Sequence, residues 1–67
     1  MNLDRLAIEN LIDTKIVGRN AERDRKILRR RMIDGIKFET LAEEFSLSVT
    51  QTKNIVSKRQ MQMFQDF

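Results

Sequence analysis

Basic side chains concentrate in two stretches of the sequence. Residues 19–31 hold seven basic and two acidic residues, and residues 48–60 hold three basic residues and no acidic one. Between them, residues 32–47 hold four acidic residues and a single basic one. Clustered positive charge within a net charge of +3 is typical of proteins that bind nucleic acid, because the phosphate backbone attracts it. The alternative is that the charges only solvate the surface of helices.

Four basic residues of the first stretch would share one face of a helix. Arg19, Arg23, Lys26 and Arg30 are separated by four, three and four positions, which is the spacing of neighbours on a helix surface. We expect Arg23, Lys26 and Arg30 to contact nucleic-acid phosphates. In the alternative interpretation the face is only solvated, and Glu22 pairs with Lys26 across one helical turn.

The residue types that are missing limit the chemistry of the chain. The 67 residues include no Cys and no His, which excludes disulfides, the usual zinc sites, cysteine nucleophiles and histidine bases. Tyr and Trp are also missing, and the carboxylates have no partner group that would tune them for acid–base catalysis. We therefore expect a protein that is not an enzyme and that uses no metal or cofactor.

Length and hydropathy indicate one small domain. A chain of 67 residues has room for a single core, and 34% charged residues beside 40% hydrophobic ones suit neither a disordered chain nor a membrane span. No run approaches the roughly 18 apolar residues of a membrane-spanning helix. The N-terminal stretch MNLDRLAIENLID mixes acidic residues into its apolar positions, unlike a secretory signal. We expect a cytoplasmic protein with no membrane partner.

The spacing of apolar residues predicts an all-α fold over residues 1–67, a small four-helix domain. The predicted helices cover residues 3–16, 21–34, 38–45 and 49–64. Asn2, Asn20 and Ser48 are suitable N-cap residues, and Ser48 could accept the amide of residue 50 or 51. Gly18 and Gly35 follow the first two helices, where a left-handed residue commonly ends a helix.

The third and fourth predicted helices fit a helix-turn-helix. This unit needs a small residue where its helices cross, supplied by Ala42, and apolar residues on the inner faces and in the turn. The apolar positions are filled by Leu41, Phe45, Leu47, Ile55 and Val56.

Two positions depart from the usual helix-turn-helix pattern. Ser46 stands where the turn often has Gly, so its backbone must adopt a left-handed or distorted conformation. Thr52 stands where an aliphatic residue is usual, and its hydroxyl can bond to a preceding carbonyl.

The stretch ERDRKILRRRMIDGIKFETLAEEFSLSVTQTKNIVSKRQ resembles region four of bacterial sigma factors. In that family a helix of the form E-R-E-R-x-V-L-x-L-R leads through a Gly to L-E-E-I-A-x-x-F-G-V-S and then to the recognition helix. The corresponding residues here are 22–31, Gly35 and 38–48. The resemblance covers residues 20–60 and implies a stand-alone module of the kind found in small phage and mobile-element regulators.

The resemblance implies that the helix at 49–64 enters the major groove of DNA with its early outward residues at the base edges. By position these are Val49, Thr50, Lys53 and Asn54, with Ser57 one turn further along. Asn54 suits adenine, Lys53 suits guanine, Thr50 suits a base or a phosphate, and Val49 suits a thymine methyl group. The family generally has Arg and Glu at positions 49 and 50, so the bases preferred here would differ.

The second basic stretch and the ends of the chain leave alternatives open. Lys58 and Arg59 could contact phosphates, or could pair or pack within the protein. The apolar tail residues could fold back on the first helix and complete the core, or form a seam between two copies or a docking surface. These residues are Met61, Met63, Phe64 and Phe67, and residues 1–18 could serve the same purpose. The acidic residues Glu39, Glu43 and Glu44 could be solvated, or could contact a basic partner.

Two functions of different classes are consistent with these features. The first is sequence-specific binding of double-stranded DNA by a homodimeric, sigma-like transcriptional regulator. The second is a small adaptor or inhibitor that uses the helix-turn-helix scaffold to dock on RNA polymerase or another nucleoprotein. The unusual residues at 49 and 50, the acidic patch and the apolar tail favour the second function.

Overall fold

The computed structural model describes residues 4–65, and within them it shows four helices and no strand. The helices are α1 at Arg5–Lys15, α2 at Ala21–Met32, α3 at Phe38–Glu44 and α4 at Val49–Met63. The prediction of a small all-α domain is confirmed, with each predicted helix present and its described ends within two residues of the prediction. No helix in this part of the chain is long and apolar enough to cross a membrane.

The start of α1 is set by Asp4. Its carboxylate accepts the amide of Ala7 at 2.8 Å, and its backbone is extended, as at an N-cap. The predicted cap Asn2 lies outside the described residues, as do Leu3, the first residue of the predicted helix, and Phe67 of the tail.

Asn20 precedes α2 at the N-cap position, but the prediction that its side chain caps the helix is wrong. Its backbone is left-handed, with φ of 61°, and the side chain makes no capping hydrogen bond. A capping side chain usually needs an extended backbone to reach the amides of the first turn. At the other end of α2, Gly35 is left-handed as predicted, with φ of 70°.

A short turn joins α3 to α4. The two residues that depart from the usual helix-turn-helix pattern, Ser46 and Thr52, both have the predicted conformation or contact. Ser46 is left-handed, with φ of 56°, and the amide of Leu47 donates to the carbonyl of Ala42 at 2.8 Å. The hydroxyl of Thr52 donates to the carbonyl of Ser48 at 2.9 Å. Ser48 and Gln51 cap each other at 3.0 Å in both directions, so that the first turn of α4 is fixed.

The core lies between α2 and α4, with α1 packed across both and α3 packed against both. Its buried hydrophobic residues are Leu11, Ile12, Ile16, Ile27, Leu28, Leu41, Ala42, Val56 and Met63. Three residues predicted to fill apolar positions of the helix-turn-helix, Phe45, Leu47 and Ile55, are half-buried at its edge, as is Phe38.

Of the described tail residues, Met63 is fully buried, Phe64 packs against the core and Met61 is exposed. The end of α4 therefore contributes Met63 and Phe64 to this domain's own core, as the fold-back alternative predicted, but not Met61.

Candidate nucleic-acid interface

The outer face of α4 presents an unpaired polar surface. Thr50, Lys53, Asn54 and Ser57 are exposed, whereas Val49 is half-buried beside them. Their spacing along α4 puts the exposed residues on adjoining strips of one face. Within residues 4–65, the side chains of Thr50, Asn54 and Ser57 make no hydrogen bond to the protein. Their donors and acceptors are therefore open to an external partner. We call the four exposed residues the outer face of α4.

Lys53 is oriented by an aromatic ring at the start of α3. Its ammonium lies 5.8 Å from the centroid of the Phe38 ring, within the distance at which a cation is attracted to the face of a ring. The guanidinium of Arg31, from α2, lies 4.2 Å from the same centroid and also donates to the carbonyl of Ile36 at 3.0 Å. Phe38 thus associates with cations from two other helices, a role that the sequence did not indicate.

The three basic residues of α2 that we predicted as phosphate contacts all have carboxylate partners. Arg23 is half-buried and pairs with Asp24 at 2.9 Å. Lys26 lies 4.0 Å from Glu22, the pairing that the alternative interpretation predicted, and both side chains are largely exposed. Arg30 pairs with Glu44 at 2.5 Å and with Asp34 at 3.3 Å. A phosphate would therefore have to share or replace these carboxylates.

Of the three acidic residues Glu39, Glu43 and Glu44, which we expected to be solvated or to contact a basic partner, Glu44 pairs with Arg30 of the protein itself. The hydrogen bond from Arg30 lowers the pKa of the Glu44 carboxyl, and the same contact raises the pKa of Arg30. Glu39 and Glu43 are exposed, as predicted. The contact between Arg30 and Glu44 joins the end of α3 to α2 on the surface of the protein.

Arg59 is buried, so the possibility that it contacts phosphate is wrong and the alternative of pairing is correct. Its Nε donates to Oδ2 of Asp24 at 2.7 Å, and both residues have less than a tenth of their surface exposed. Its other nitrogens donate to the carbonyls of Val17 and Arg19, at 3.1 and 2.9 Å, and to Gln62 at 2.7 Å. Arg59 therefore joins α4 to α2 and to the loop that precedes α2.

Asp24 is the residue of this region that sequence analysis missed, although the sequence carried a signal. Asp24 precedes Ile27 by three positions and Leu28 by four, which places it on the buried stripe of α2. Arg59 lies on the stripe of Val56 and Met63 in the same way. One acidic and one basic residue, each in an apolar stripe, could have indicated a buried ion pair.

Lys58, unlike Arg59, is exposed and has no ion-pair partner within the described residues. It follows Asn54 by one helical turn, so that it extends the outer face of α4 toward the start of α2. Within residues 4–65 no group of three or more acidic side chains is arranged to hold a metal ion.

Comparison with known proteins gives no match, whether to a family model, to a curated protein or to a solved structure. The resemblance to region four of sigma factors accordingly stays a prediction.

Proposed function

We propose that the protein binds double-stranded DNA sequence-specifically, as a small sigma-like transcriptional regulator, with α3 and α4 as its helix-turn-helix. The observation that carries the proposal is the outer face of α4. Its polar side chains are exposed and, apart from the contact of Lys53 with Phe38, unpartnered. Exposed polar groups at the start of a helix, in a chain with clustered positive charge, fit the base edges of a major groove.

The packing around α3 and α4 supports their assignment as one unit. Ala42 is buried where the unit needs a small residue, and Leu41 and Val56 are buried on the two inner faces. The mutual caps of Ser48 and Gln51 hold the first turn of α4, where the proposed base contacts begin. A helix start held in this way supports the proposal that Thr50, Lys53 and Asn54 meet a groove at a defined angle.

We propose further that the protein binds as a homodimer. Leu6 and Met61 are each 75% exposed, and a contact between two copies would remove these apolar side chains from water. The principal extents of the domain are 30, 24 and 16 Å. Two copies could therefore lie side by side on half-sites about 34–36 Å apart, the usual spacing for such dimers.

The test begins with selection of a preferred duplex from a random library. Binding is then measured by fluorescence anisotropy for the selected duplex and a scrambled one, at several salt concentrations. The double variant Lys53→Ala/Asn54→Ala should lose the preference, roughly a hundredfold if each side chain makes one good base contact. Its helix content by circular dichroism should be unchanged.

The matched control is Asn10→Ala/Lys37→Ala, which removes the same two exposed side-chain types outside α4. This variant should keep the preference. An unchanged preference in Lys53→Ala/Asn54→Ala would refute the assignment of α4 as the recognition helix. No salt-dependent binding to any duplex at low salt would refute DNA binding and favour docking on RNA polymerase or another nucleoprotein.

A further inference from the structure

A pocket of about 200 Å³ lies beside the outer face of α4, between the start of α2 and the middle of α4. Arg19, Asn20 and Arg23 line it on the α2 side, and Ile55 and Lys58 line it on the α4 side. The buried pair of Asp24 and Arg59 completes the lining. The pocket is thus built from two regions that are more than 30 positions apart in the sequence.

The lining of the pocket has an excess of positive charge. Four of its side chains are cationic and only one, Asp24, is anionic. Oδ1 of Asp24 accepts hydrogen bonds from Arg23, and Oδ2 accepts one from Arg59. Because the only carboxylate is shared between two guanidinium groups, it cannot also neutralise Arg19 and Lys58.

Arg19 and Lys58 provide the free charge of the pocket. Both side chains are exposed, and neither has a hydrogen bond or an ion pair within the described residues. The backbone of Arg19 is nevertheless held, because its carbonyl accepts Nη2 of Arg59 at 2.9 Å. One unpaired cation therefore lies on each side of the pocket, next to the buried pair of Asp24 and Arg59.

The start of α2 adds to the attraction for an anion. The amide of Ala21 donates to the carbonyl of Gly18 at 3.2 Å, but the side chain of Asn20 makes no capping hydrogen bond to the amides of Glu22 and Arg23. These amides form the positive end of the helix dipole. Glu22, the exposed acidic residue of this turn, does not line the pocket and lies near Lys26.

We propose that this pocket binds a single phosphate group, held between Arg19 and Lys58 with Arg23 at its side. Guanidinium groups match the geometry of phosphate oxygens, and helix N-termini are suited to phosphate groups. Two kinds of molecule could provide such a phosphate group. One is a phosphodiester of the DNA backbone, which rests on the proposed function because Lys58 adjoins the outer face of α4. The other is the phosphomonoester of a small molecule, which does not rest on it.

The experiment titrates the protein with dimethyl phosphate, a diester, and with phenyl phosphate, a monoester, at constant ionic strength. Binding is followed through the amide signals of residues 19–24 and 58–59 by two-dimensional NMR. We expect saturable shifts confined to these residues. Arg19→Gln/Lys58→Gln should weaken binding at least about tenfold, since charge-assisted hydrogen bonds are lost. Arg5→Gln/Lys37→Gln, which removes one exposed Arg and one exposed Lys elsewhere, should change it less than twofold.

The two probes distinguish the sources. Binding of dimethyl phosphate supports the DNA backbone as the source, and binding of phenyl phosphate alone supports a small phosphomonoester. Shifts that do not saturate with either probe would overturn the proposal. So would an equal loss of binding in the pocket variant and in its control, because this would indicate only the general attraction of a basic surface.

The same variants separate this proposal from that of DNA binding. If the protein binds a probe but no duplex, the pocket stands and the proposed function fails. If Arg19→Gln/Lys58→Gln binds the selected duplex as tightly as Arg5→Gln/Lys37→Gln does and no probe binds, the pocket proposal fails and DNA binding stands. Circular dichroism of each variant checks that the exposed substitutions leave the fold intact.

Discussion

The inner face of α4, which packs against the core, and its outer face both carry polar side chains. Those on the inner face are buried, whereas those on the outer face are exposed to solvent. On the inner face, Arg59 is buried and bonds to Asp24, to Gln62 and to two backbone carbonyls. On the outer face, Thr50 and Asn54 are exposed and, among residues 4–65, have no hydrogen-bond partner for their side chains. A buried charge is stable only when its partners are supplied by the protein, whereas an exposed polar group is satisfied by water until a ligand replaces it.

This difference shows that position around the helix, rather than residue type, separates structural from binding residues. Lys58 and Arg59 are adjacent basic residues, yet one is free on the surface and the other is a buried connection between helices. We therefore expect substitutions on the inner face to change stability and those on the outer face to change binding. The following predictions test this separation, from the largest expected effect to the smallest.

Asp24→Asn should have the largest effect, because it leaves Arg59 buried without a counter-charge. Breaking a buried ion pair by removing one partner costs roughly 3–5 kcal/mol, a large share of the total stability of a small domain. Urea unfolding followed by circular dichroism would measure this loss. The control Asp13→Asn removes the exposed pair with Arg29, in which the Asp13 side chain is 55% exposed, and should cost less than about 1 kcal/mol.

Equal losses in Asp24→Asn and Asp13→Asn would contradict the distinction between the two ion pairs. A second variant, Asp24→Leu/Arg59→Met, replaces both buried charges with apolar side chains of similar size. It should regain most of the stability lost in Asp24→Asn, because no buried charge is then left unpaired.

Ser46→Gly should stabilise the protein by about 1 kcal/mol, because glycine adopts the left-handed backbone without the steric cost of a side chain. This residue shapes the turn that decides which face of α4 is buried, and its φ is 56°. The control Ser57→Gly, in the interior of α4, should instead destabilise by a few tenths of a kcal/mol. Thermal or urea unfolding of both variants gives the sign, and a loss of stability in Ser46→Gly would be inconsistent with strain in the turn.

Lys53→Ala/Asn54→Ala should change the free energy of unfolding by no more than about 0.5 kcal/mol, as is usual for exposed positions. Alanine is also a better helix former than asparagine, which offsets the loss of the contact between Lys53 and Phe38. The measurement is the urea midpoint of the variant used in the DNA-binding test. A loss of several kcal/mol would mean that the outer face of α4 is structural.

The pH dependence of the Arg30–Glu44 pair should be the smallest effect on stability, because both groups are exposed to solvent. The pKa of Glu44 is lowered in the folded protein by the hydrogen bond from Arg30. The stability that Glu44 contributes to the fold is therefore complete above its unfolded-state pKa, near the ordinary value of 4.5. This stability is lost as the pH falls through the lowered folded-state pKa.

An NMR titration of the Glu44 carboxyl group measures this shift directly. Arg30→Gln should raise the pKa of Glu44 toward its ordinary value, whereas Lys37→Gln removes a charge outside this pair and should leave it lowered. A pKa that does not respond to Arg30→Gln would show that the hydrogen bond is not its cause.

Much of the fold and part of the candidate site could be predicted from local sequence signals. The cap at Ser48, the hydroxyl contact of Thr52 and the left-handed backbone at Gly35 and Ser46 each depend on a few neighbouring residues. The outward placement of Thr50, Lys53 and Asn54 follows from helical spacing alone. The base contacts expected of these residues stay predictions.

The contacts that join different helices could not be predicted in the same way. Asp24 and Arg59 are 35 positions apart, and Arg30 and Glu44 are 14 positions apart. Sequence spacing showed that Arg30 would be on the surface, but not that the end of α3 would place a carboxylate beside it. The position of Phe38 near cations from α2 and α4 depended on the same helix placement.

The sequence by itself therefore determined where the helices lie and which side of each faces outward, because helix periodicity, caps and turns act over a few residues. Only the tertiary structure decided which basic residues are paired, which one is buried and where a cationic pocket forms. Those outcomes depend on how the helices dock, which is set by the packing of the whole core. Arg59 shows the division most clearly, since its place on the inner face was visible in the sequence and its partners were not.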